Sequence, residues 1–547
     1  MLRPLWISLV AVGAWAAPLL LFSDVAKKSG IDFKLVSGLP EKHYIVESMS
    51  GGVAVFDYNN DGRPDIYLVN GSTIEAERAG NNTAEDRLYR NNGDGTFTDV
   101  THQAGLGDRR WTMGVAVADV NNDGFDDLYI TNYGANRLYL NNGDGTFRDF
   151  SHESGTEVNG WSSGAAFADY DGDGLVDLYV ANYLNVDIMN LPREGLLCRY
   201  RDIAVQCGPR GLTPAHSHLF KNLGGGRFQD VTLPSGVGKV EAAYGLGVVW
   251  GDLDNDGRPD LFAANDSLPN YLFHNDGNGK FTESALDVGV ALREDGREQA
   301  GMGVDMGDYD NDGNLDIVLT TFSDDYKTLF HNDGTGHFQD VSSKAGLVQP
   351  TWNLLGWGVQ FVDLDNDGYQ DIVMANGHVY PEVDQHKFAT TYRQHPSVFL
   401  NQHNGQFKDV GNSWGPAFQL AESSRGLAIG SFSNNGQMDV VISNLDAQPW
   451  LIKNPGSSGN WLMLKLNGTV SNRDAIGARV TVTTGKLRQM REVKSGGSYQ
   501  SQSDFRLHFG LGAAQSADEI SIRWPTGKVQ KLNAVKANQI LKIEEPR

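Results

Sequence analysis

Short apolar runs alternate along most of the chain with polar turns rich in Asp, Asn and Gly. Gly114-Val-Ala-Val-Ala118 and Gly164-Ala-Ala-Phe-Ala168 stand before such turns. Asp127-Leu-Tyr-Ile-Thr131 and Asp316-Ile-Val-Leu-Thr320 stand after them. Runs this short, rich in β-formers, predict strands and are too short for helices. The turn between the runs repeats. Asp57-Tyr-Asn59-Asn-Asp61-Gly-Arg63-Pro-Asp65 returns at 119–127, 169–177, 252–260, 308–316 and 363–371, with a worn copy from Ser431 to Asp439. The spacing is about 62 residues, in the range of a four-stranded propeller blade with long loops.

A second motif follows each turn, as in Leu88-Tyr-Arg-Asn-Asn-Gly-Asp-Gly-Thr-Phe97. Asn-Gly and Asp-Gly supply the positive φ of hairpin turns, so this is the outer hairpin of a blade. Phe-x-Asp strands close six hairpins, from Phe97 to Phe407, but the hairpin near Trp450 lacks one. Phe22-Ser-Asp24-Val25 is a spare copy at the N-terminus. That strand is expected to complete a seventh blade and close the ring, leaving no open sheet edge. Five residues before each turn stands a glycine: Gly52, Gly114, Gly164, Gly247, Gly303, Gly358 and Gly426. Such repetition suggests innermost strands crowded about one axis, with Asp305 and Gln360 as polar intrusions into the channel. The expectation is an all-β chain: a seven-bladed propeller over 18–456, then a small β-sandwich over 457–547. The sandwich strands are read at 461–466, 479–483, 489–493, 506–509, 519–524 and 539–543.

Charge divides the chain the same way. The net charge is −23, from 45 Lys+Arg and 68 Asp+Glu. Residues 457–547 carry 14 basic and 7 acidic side chains, so the remainder is strongly acidic. An acidic chain is a poor partner for a phosphate backbone, which disfavours nucleic acid. Basic residues on the C-terminal sheets are read as solvated, with a ligand face as the less favoured alternative.

The acidity belongs to the repeated turns. Positions 1, 3, 5 and 9 offer side-chain oxygens, position 7 a backbone carbonyl, and Gly at position 6 makes the bend. The predicted ligand sets are Asp57, Asn59, Asp61, Arg63 and Asp65; Asp119, Asn121, Asp123, Phe125 and Asp127; and Asp169, Asp171, Asp173, Leu175 and Asp177. The remaining three are Asp252, Asp254, Asp256, Arg258 and Asp260; Asp308, Asp310, Asp312, Asn314 and Asp316; and Asp363, Asp365, Asp367, Tyr369 and Asp371. Hard oxygen donors at this alternation suit Ca²⁺, which takes 6–8 of them. With no His or Cys in the turns, zinc and copper are disfavoured. About six calcium ions, acting chiefly as scaffold, are expected. The seventh turn, with Ser431, Ser433 and Asn435, should bind none. Asx turns without metal would use the same residue types, but six aligned copies weigh against that reading.

These turns resemble FG-GAP/VCBS repeats. At the C-terminus, Ser471-Asn-Arg-Asp-Ala-Ile-Gly-Ala-Arg479, Ser501-Gln-Ser-Asp-Phe-Arg-Leu-His-Phe-Gly-Leu-Gly512 and Ile522-Arg-Trp-Pro-Thr-Gly527 resemble the ASPIC/UnbV domain. The combination resembles the cartilage acidic protein family, here as a bacterial member. The resemblance implies a secreted calcium-binding protein of adhesive character, with an extracellular carbohydrate or protein ligand. It implies no settled activity.

Arg3, the apolar run from Leu5 to Ala17 and Ala14-Trp-Ala16 have the layout of a signal peptide over 1–17, with an uncleaved anchor as the alternative. No later segment is long and apolar enough to span a bilayer. Cys198 and Cys207 are the two cysteines, and export makes a local disulfide the expected state. Nucleophile elbows, zincin motifs and Walker loops are absent from the sequence. The weak catalytic candidates are His378, Tyr380 and Asp384, on one loop after the sixth turn. Trp111, Trp161, Tyr244 and Trp357 precede inner strands and suit either a sugar-binding mouth or packing between blades, the latter favoured. Two functions compete: a secreted binding module, and a lyase or hydrolase working at the channel mouth.

Overall fold

The computed structural model describes residues 21–191 and 197–547, so the signal-peptide reading lies outside the described residues. Seven four-stranded antiparallel sheets follow one another along the chain. The second is typical: Trp111–Ala118, Asp127–Tyr133, Arg137–Asn141 and Phe147–Asp149 pair in chain order. The last sheet departs from that order. Ser23–Asp24 lies outside Trp450–Lys453, with Ser23 opposite Lys453 and Asp24 opposite Ile452. Backbone bonds from Phe22 N to Trp414 O and from Val25 N to Leu451 O, both 2.9 Å, extend the pairing. The Phe22 ring also stacks on Trp414 at 5.3 Å. The closing strand therefore holds by apolar contact as well as by its ladder.

The innermost strands neighbour one another around a ring, and the first, Val53–Phe56, meets the last, Ser424–Gly430. Crowding explains the repeated glycines. A β-carbon on Gly164, Gly247 or Gly303 would fall 2.3, 2.3 or 2.0 Å from a carbonyl oxygen of the next blade. No side chain fits there.

The C-terminal region forms two sheets sharing one core. Four strands, Leu487–Glu492, Arg479–Thr484, Ser516–Arg523 and Val529–Lys536, make one sheet; Leu507–Gly512, Asn460–Asn467 and Gln539–Glu544 make the other. Val529–Lys536 is an addition to the sequence reading. It is an outer strand of mixed, largely exposed residues, with only Leu532 and Val535 packing against the core, so no regular apolar alternation announced it.

The segment between Glu492 and Leu507 joins one sheet to the other without a strand of its own. It enters the propeller axis. Gln502 exchanges two 2.9 Å backbone bonds with Val53 and Val55 of the first blade. Further backbone bonds run from Val115 to Gln500, from Gly497 to Val248, from Val304 to Ser498 and from Asp504 to Ile429. Lys494 Nζ donates to Asp305 Oδ1 at 2.5 Å, and Ser503 to Gln360 at 3.3 Å. The two polar residues predicted for the channel thus meet a plug from the other end of the chain. Backbone groups of the inner strands that would otherwise face the axis are satisfied by this segment.

Candidate metal centres

Each acidic turn is held by its own backbone. In the first, Gly62 N donates to Asp57 Oδ2 at 2.7 Å, Asp61 N to Asp57 Oδ1 at 3.0 Å, and Arg63 N to Asp61 Oδ1 at 3.0 Å. Position 4 is left-handed in all seven turns, as Asn60, Asn122, Gly172, Asn255, Asn311, Asn366 and Asn434. The ninth-position aspartate is anchored twice. Asp65 accepts from Asn91 N at 2.7 Å and from Tyr58 N at 3.3 Å, and the same pair of bonds recurs at Asp127, Asp177, Asp260, Asp316 and Asp371. These bonds orient the carboxylates and leave lone pairs directed into the turn.

In the third, fifth and sixth turns the carboxylates of positions 1, 3 and 9 converge, each trio having oxygens within 4.8 Å of one another: Asp169, Asp171 and Asp177; Asp308, Asp310 and Asp316; Asp363, Asp365 and Asp371. In the same three turns one buried oxygen of position 3, on Asp171, Asp310 and Asp365, has no hydrogen-bond partner. A buried carboxylate oxygen left without a donor is costly unless a cation answers it. The residues present fit a hard divalent cation. Burial pushes Asp65 and Asp308 up to about 8 and Asp119, Asp316 and Asp363 up to about 7, the same cost expressed as proton affinity.

Nitrogen does approach the turns, from a place their sequence does not show. The outer hairpin carries His274 and His331 beside the fourth and fifth turns, 3.1 Å from Asp260 and Asp316. They group with Asp254 and Asp256, and with Asp310 and Asp312, respectively. His403 likewise meets Asp367 at 2.5 Å. The absence of His within the turns therefore does not make their surroundings purely oxygen.

A further element went unread. The first Asn of each outer hairpin shapes its own turn, and its amide also reaches the preceding blade. Asn141 Nδ2 donates to Tyr58 O at 2.8 Å, Asn275 to Tyr170 O at 2.8 Å and Asn401 to Tyr309 O at 2.8 Å. Asn91 closes the circle by donating to Phe432 O at 2.9 Å. Seven such amides, completed by Asn222, Asn332 and Asn454, link every acidic turn to the next. The signal in the sequence is an Asn six residues before the Phe of each closing strand, from Asn91 before Phe97 to Asn401 before Phe407, while its distance from the acidic turn varies.

The basic C-terminal region covers the face that carries the turns. Arg523 pairs with Asp252, and Arg479 donates to Asp252 O at 2.6 Å while holding Glu492 at 3.0 Å. Asp474 accepts from Asp119 N at 2.7 Å, and Gly510 N donates to Asp363 Oδ2 at 3.1 Å. Trp461 and Trp524 are buried. For Arg479 and Arg523 the solvated reading does not hold: they dock the two parts of the chain. Opposite charge favours that docking at Asp252.

At the other mouth of the ring the catalytic candidates do not assemble. His378 is fully buried. Its Nδ1 accepts from Tyr380 N at 3.1 Å and its Nε2 meets Ser323 Oγ at 3.1 Å. Burial, reinforced by Arg425, pushes its pKa down to about 3. Asp384 turns away to accept from Tyr392 N at 2.8 Å. Trp111, Trp161, Tyr244 and Trp357 are buried in one cluster with Met49 and Tyr499, the packing outcome. Cys198 and Cys207 are bonded across a small hairpin, Leu197–Tyr200 with Ile203–Gln206, that lies over this mouth. Among the described residues no helix is long and apolar enough to cross a membrane.

Ring, repeated acidic turns and basic cap define a β-propeller with acidic turns fused to a second β domain. The family model for the FG-GAP-like repeat matches 57–130, 119–180, 200–263, 252–319 and 308–374, and that for ASPIC and UnbV matches 468–547. The chain belongs to the FG-GAP-like repeat family and carries an ASPIC and UnbV domain at its C-terminal end. It is similar to cartilage acidic protein 1 of Mus musculus, 28% identical over 58% of this chain, and of Homo sapiens, 28% identical over 58%. It spans 48% and 46% of those relatives, about half their length. Solved structures of similar shape include a lectin of Agrocybe aegerita that recognises non-reducing terminal N-acetylglucosamine. It is 17% identical, covering 73% of this chain and 87% of that one, with a TM-score of 0.37. Another is YCF48 bound to D1 peptide, 9% identical, covering 80% and 98%, with a TM-score of 0.38. Likeness at that level carries no functional weight.

Proposed function

We propose that the chain is an extracellular binding module: a calcium-stiffened propeller, capped on its turn face, that captures carbohydrate or protein ligands at its free mouth. The observation that carries this reading is the division of the two faces. One is taken up by the C-terminal domain, while the other keeps an aromatic-lined cavity under the disulfide hairpin. Calcium is structural in this reading, held by the six turns from Asp57 to Asp371, because the turns lie beneath the cap and away from that mouth. The disulfide supports export, since such bonds persist in oxidising compartments. The hydrolase or lyase alternative has no support from His378, which is buried, neutral and held by two partners. The test is capture of the calcium-loaded full chain on arrays of extracellular glycans and matrix proteins, with turnover of every bound ligand followed. Saturable capture without turnover is expected; turnover of any ligand, or no capture at all, overturns the reading.

A further inference from the structure

The free mouth holds a cavity of about 370 Å³ on the propeller axis. That is near the lower end of small-molecule sites, which run from about 300 to 1,000 Å³, so it suits one ring rather than a chain. Its walls come from separate parts of the fold. Tyr200 enters from the disulfide hairpin and packs against Phe322 and Tyr380 with ring centroids 6.0 and 5.5 Å away. Trp357 forms part of the floor, and behind it stands Tyr499 of the C-terminal plug, centroids 4.7 Å apart. The floor is thus braced from the far side of the ring.

The lining mixes donors, on Arg199 and Arg210, with two acceptors that are held in place. Gln206 is buried, donates its amide to Val379 O at 3.2 Å, and leaves Oε1 with no partner among the described residues. Asp266 accepts from the Tyr183 hydroxyl at 2.6 Å and from Ser267 Oγ at 2.9 Å, so its orientation is fixed while lone pairs stay available. A ligand that brings donors therefore meets two oriented acceptors. Ammonium ions and hydroxyls both qualify, and the rim separates them. Arg199 and Arg210 both line the cavity, against the single carboxylate of Asp266. Burial also raises the pKa of Asp266, weakening its claim on a cation. Aromatic walls suit the apolar C–H faces of a sugar ring, and its hydroxyls suit oriented acceptors.

We infer that this cavity binds a neutral, single-ring sugar residue, with Asp266 and Gln206 accepting its hydroxyls and Tyr380, Phe322 and Trp357 walling it. The inference rests on the binding-module reading and names the ligand class and the site. The test is saturation-transfer NMR and calorimetry on the calcium-loaded full chain. The probes are the methyl glycosides of glucose, galactose, mannose, xylose, fucose and N-acetylglucosamine, with tetramethylammonium as the cationic arm. At least one glycoside should bind. Gln206→Leu, and Ala300→Phe, which fills the cavity from its partly buried rim, should each weaken that binding at least tenfold, and Ala300→Phe should do so without moving the thermal midpoint. Absence of binding by all six glycosides, binding indifferent to both variants, or preference for tetramethylammonium would overturn it. Array capture that persists in Ala300→Phe while no glycoside binds would sink this site and leave the binding-module reading standing.

Discussion

The seventh turn and the six before it solve one electrostatic problem in two ways. In the third, fifth and sixth turns, three carboxylates converge and a buried oxygen is left unanswered. In the seventh, Ser431, Ser433 and Asn435 replace the carboxylates, but the buried Asp439 remains. There Lys453, from the outer hairpin, puts its ammonium 2.6 Å from Ser433 Oγ and 2.8 Å from Asp439 Oδ2. The chain supplies its own cation where it has lost the ligands for a free one. The third turn lies between these cases. It keeps four aspartates, yet Lys221 at the same hairpin position pairs with Asp171 and lies 2.9 Å from Asp173. In the third and seventh turns a lysine at one hairpin position answers the carboxylates, so the handling of their charge differs from blade to blade.

The strongest way to break this comparison is to remove calcium. At 100-fold excess over Kd each site contributes about 2.7 kcal/mol, so six together rival the whole stability of a typical domain, about 5–15 kcal/mol. Elemental analysis should find five or six ions per chain, and chelator should lower the thermal midpoint by tens of degrees; two ions or fewer would contradict the ligand reading. The pH dependence should reverse as well. Without metal the folded pKa values near 7 and 8 exceed the ordinary carboxylate value. The folded state then binds more protons than the unfolded one between about pH 4 and 8, and its stability falls as pH rises through that window. With calcium present, protons compete with the ion and stability should rise over the same range. Identical slopes in both conditions would show that these carboxylates do not hold the metal.

Asn275→Ala removes amide bonds to Pro259 O and Tyr170 O and the bond accepted from Gly277 N. A loss of about 2–3 kcal/mol is expected from the buried carbonyls left unsatisfied. Asn454→Ala in the metal-free blade should cost as much, measured by denaturant midpoint. A much smaller loss there would mean that the amides act through calcium and not between blades.

Lys453→Met should cost about 1–3 kcal/mol, because it strands the Asp439 carboxylate. The calcium count should stay unchanged. A gain of one ion would show that the lysine blocks a competent site. The smallest effect is expected from Lys221→Met, which should tighten calcium binding at the third turn severalfold by calorimetry and leave the midpoint in saturating calcium within a degree or two. Weaker binding would make Lys221 part of the site and not its competitor.

Much of this was legible from spacing alone. The turn residues from Asp57 to Asp371, the hairpins and the spare strand at Phe22 are local patterns, and a strand's short range makes local patterns sufficient. The inter-blade asparagines were visible as residues but not as links, since a hairpin turn already explains an Asn. His274 and His331 were hidden for a related reason: their neighbours in space lie 14 and 15 residues away, on another strand. The outer strand Val529–Lys536 lacked a buried face to betray it.

By itself the sequence determined the all-β repeat architecture, the acidic turns, the loss of ligands in the seventh and the charge imbalance between the two parts of the chain. Each is a matter of residue type at fixed offsets. Tertiary structure decided what those parts do to one another: that residues 493–506 fill the axis, that Arg479 and Arg523 face Asp252, and that His378 is sealed from solvent. Partners such as Ser498 and Val304 lie almost two hundred residues apart in the chain, and no periodicity links them. Backbone groups left facing the channel, and charges left facing each other, find their partners only when the ring has formed.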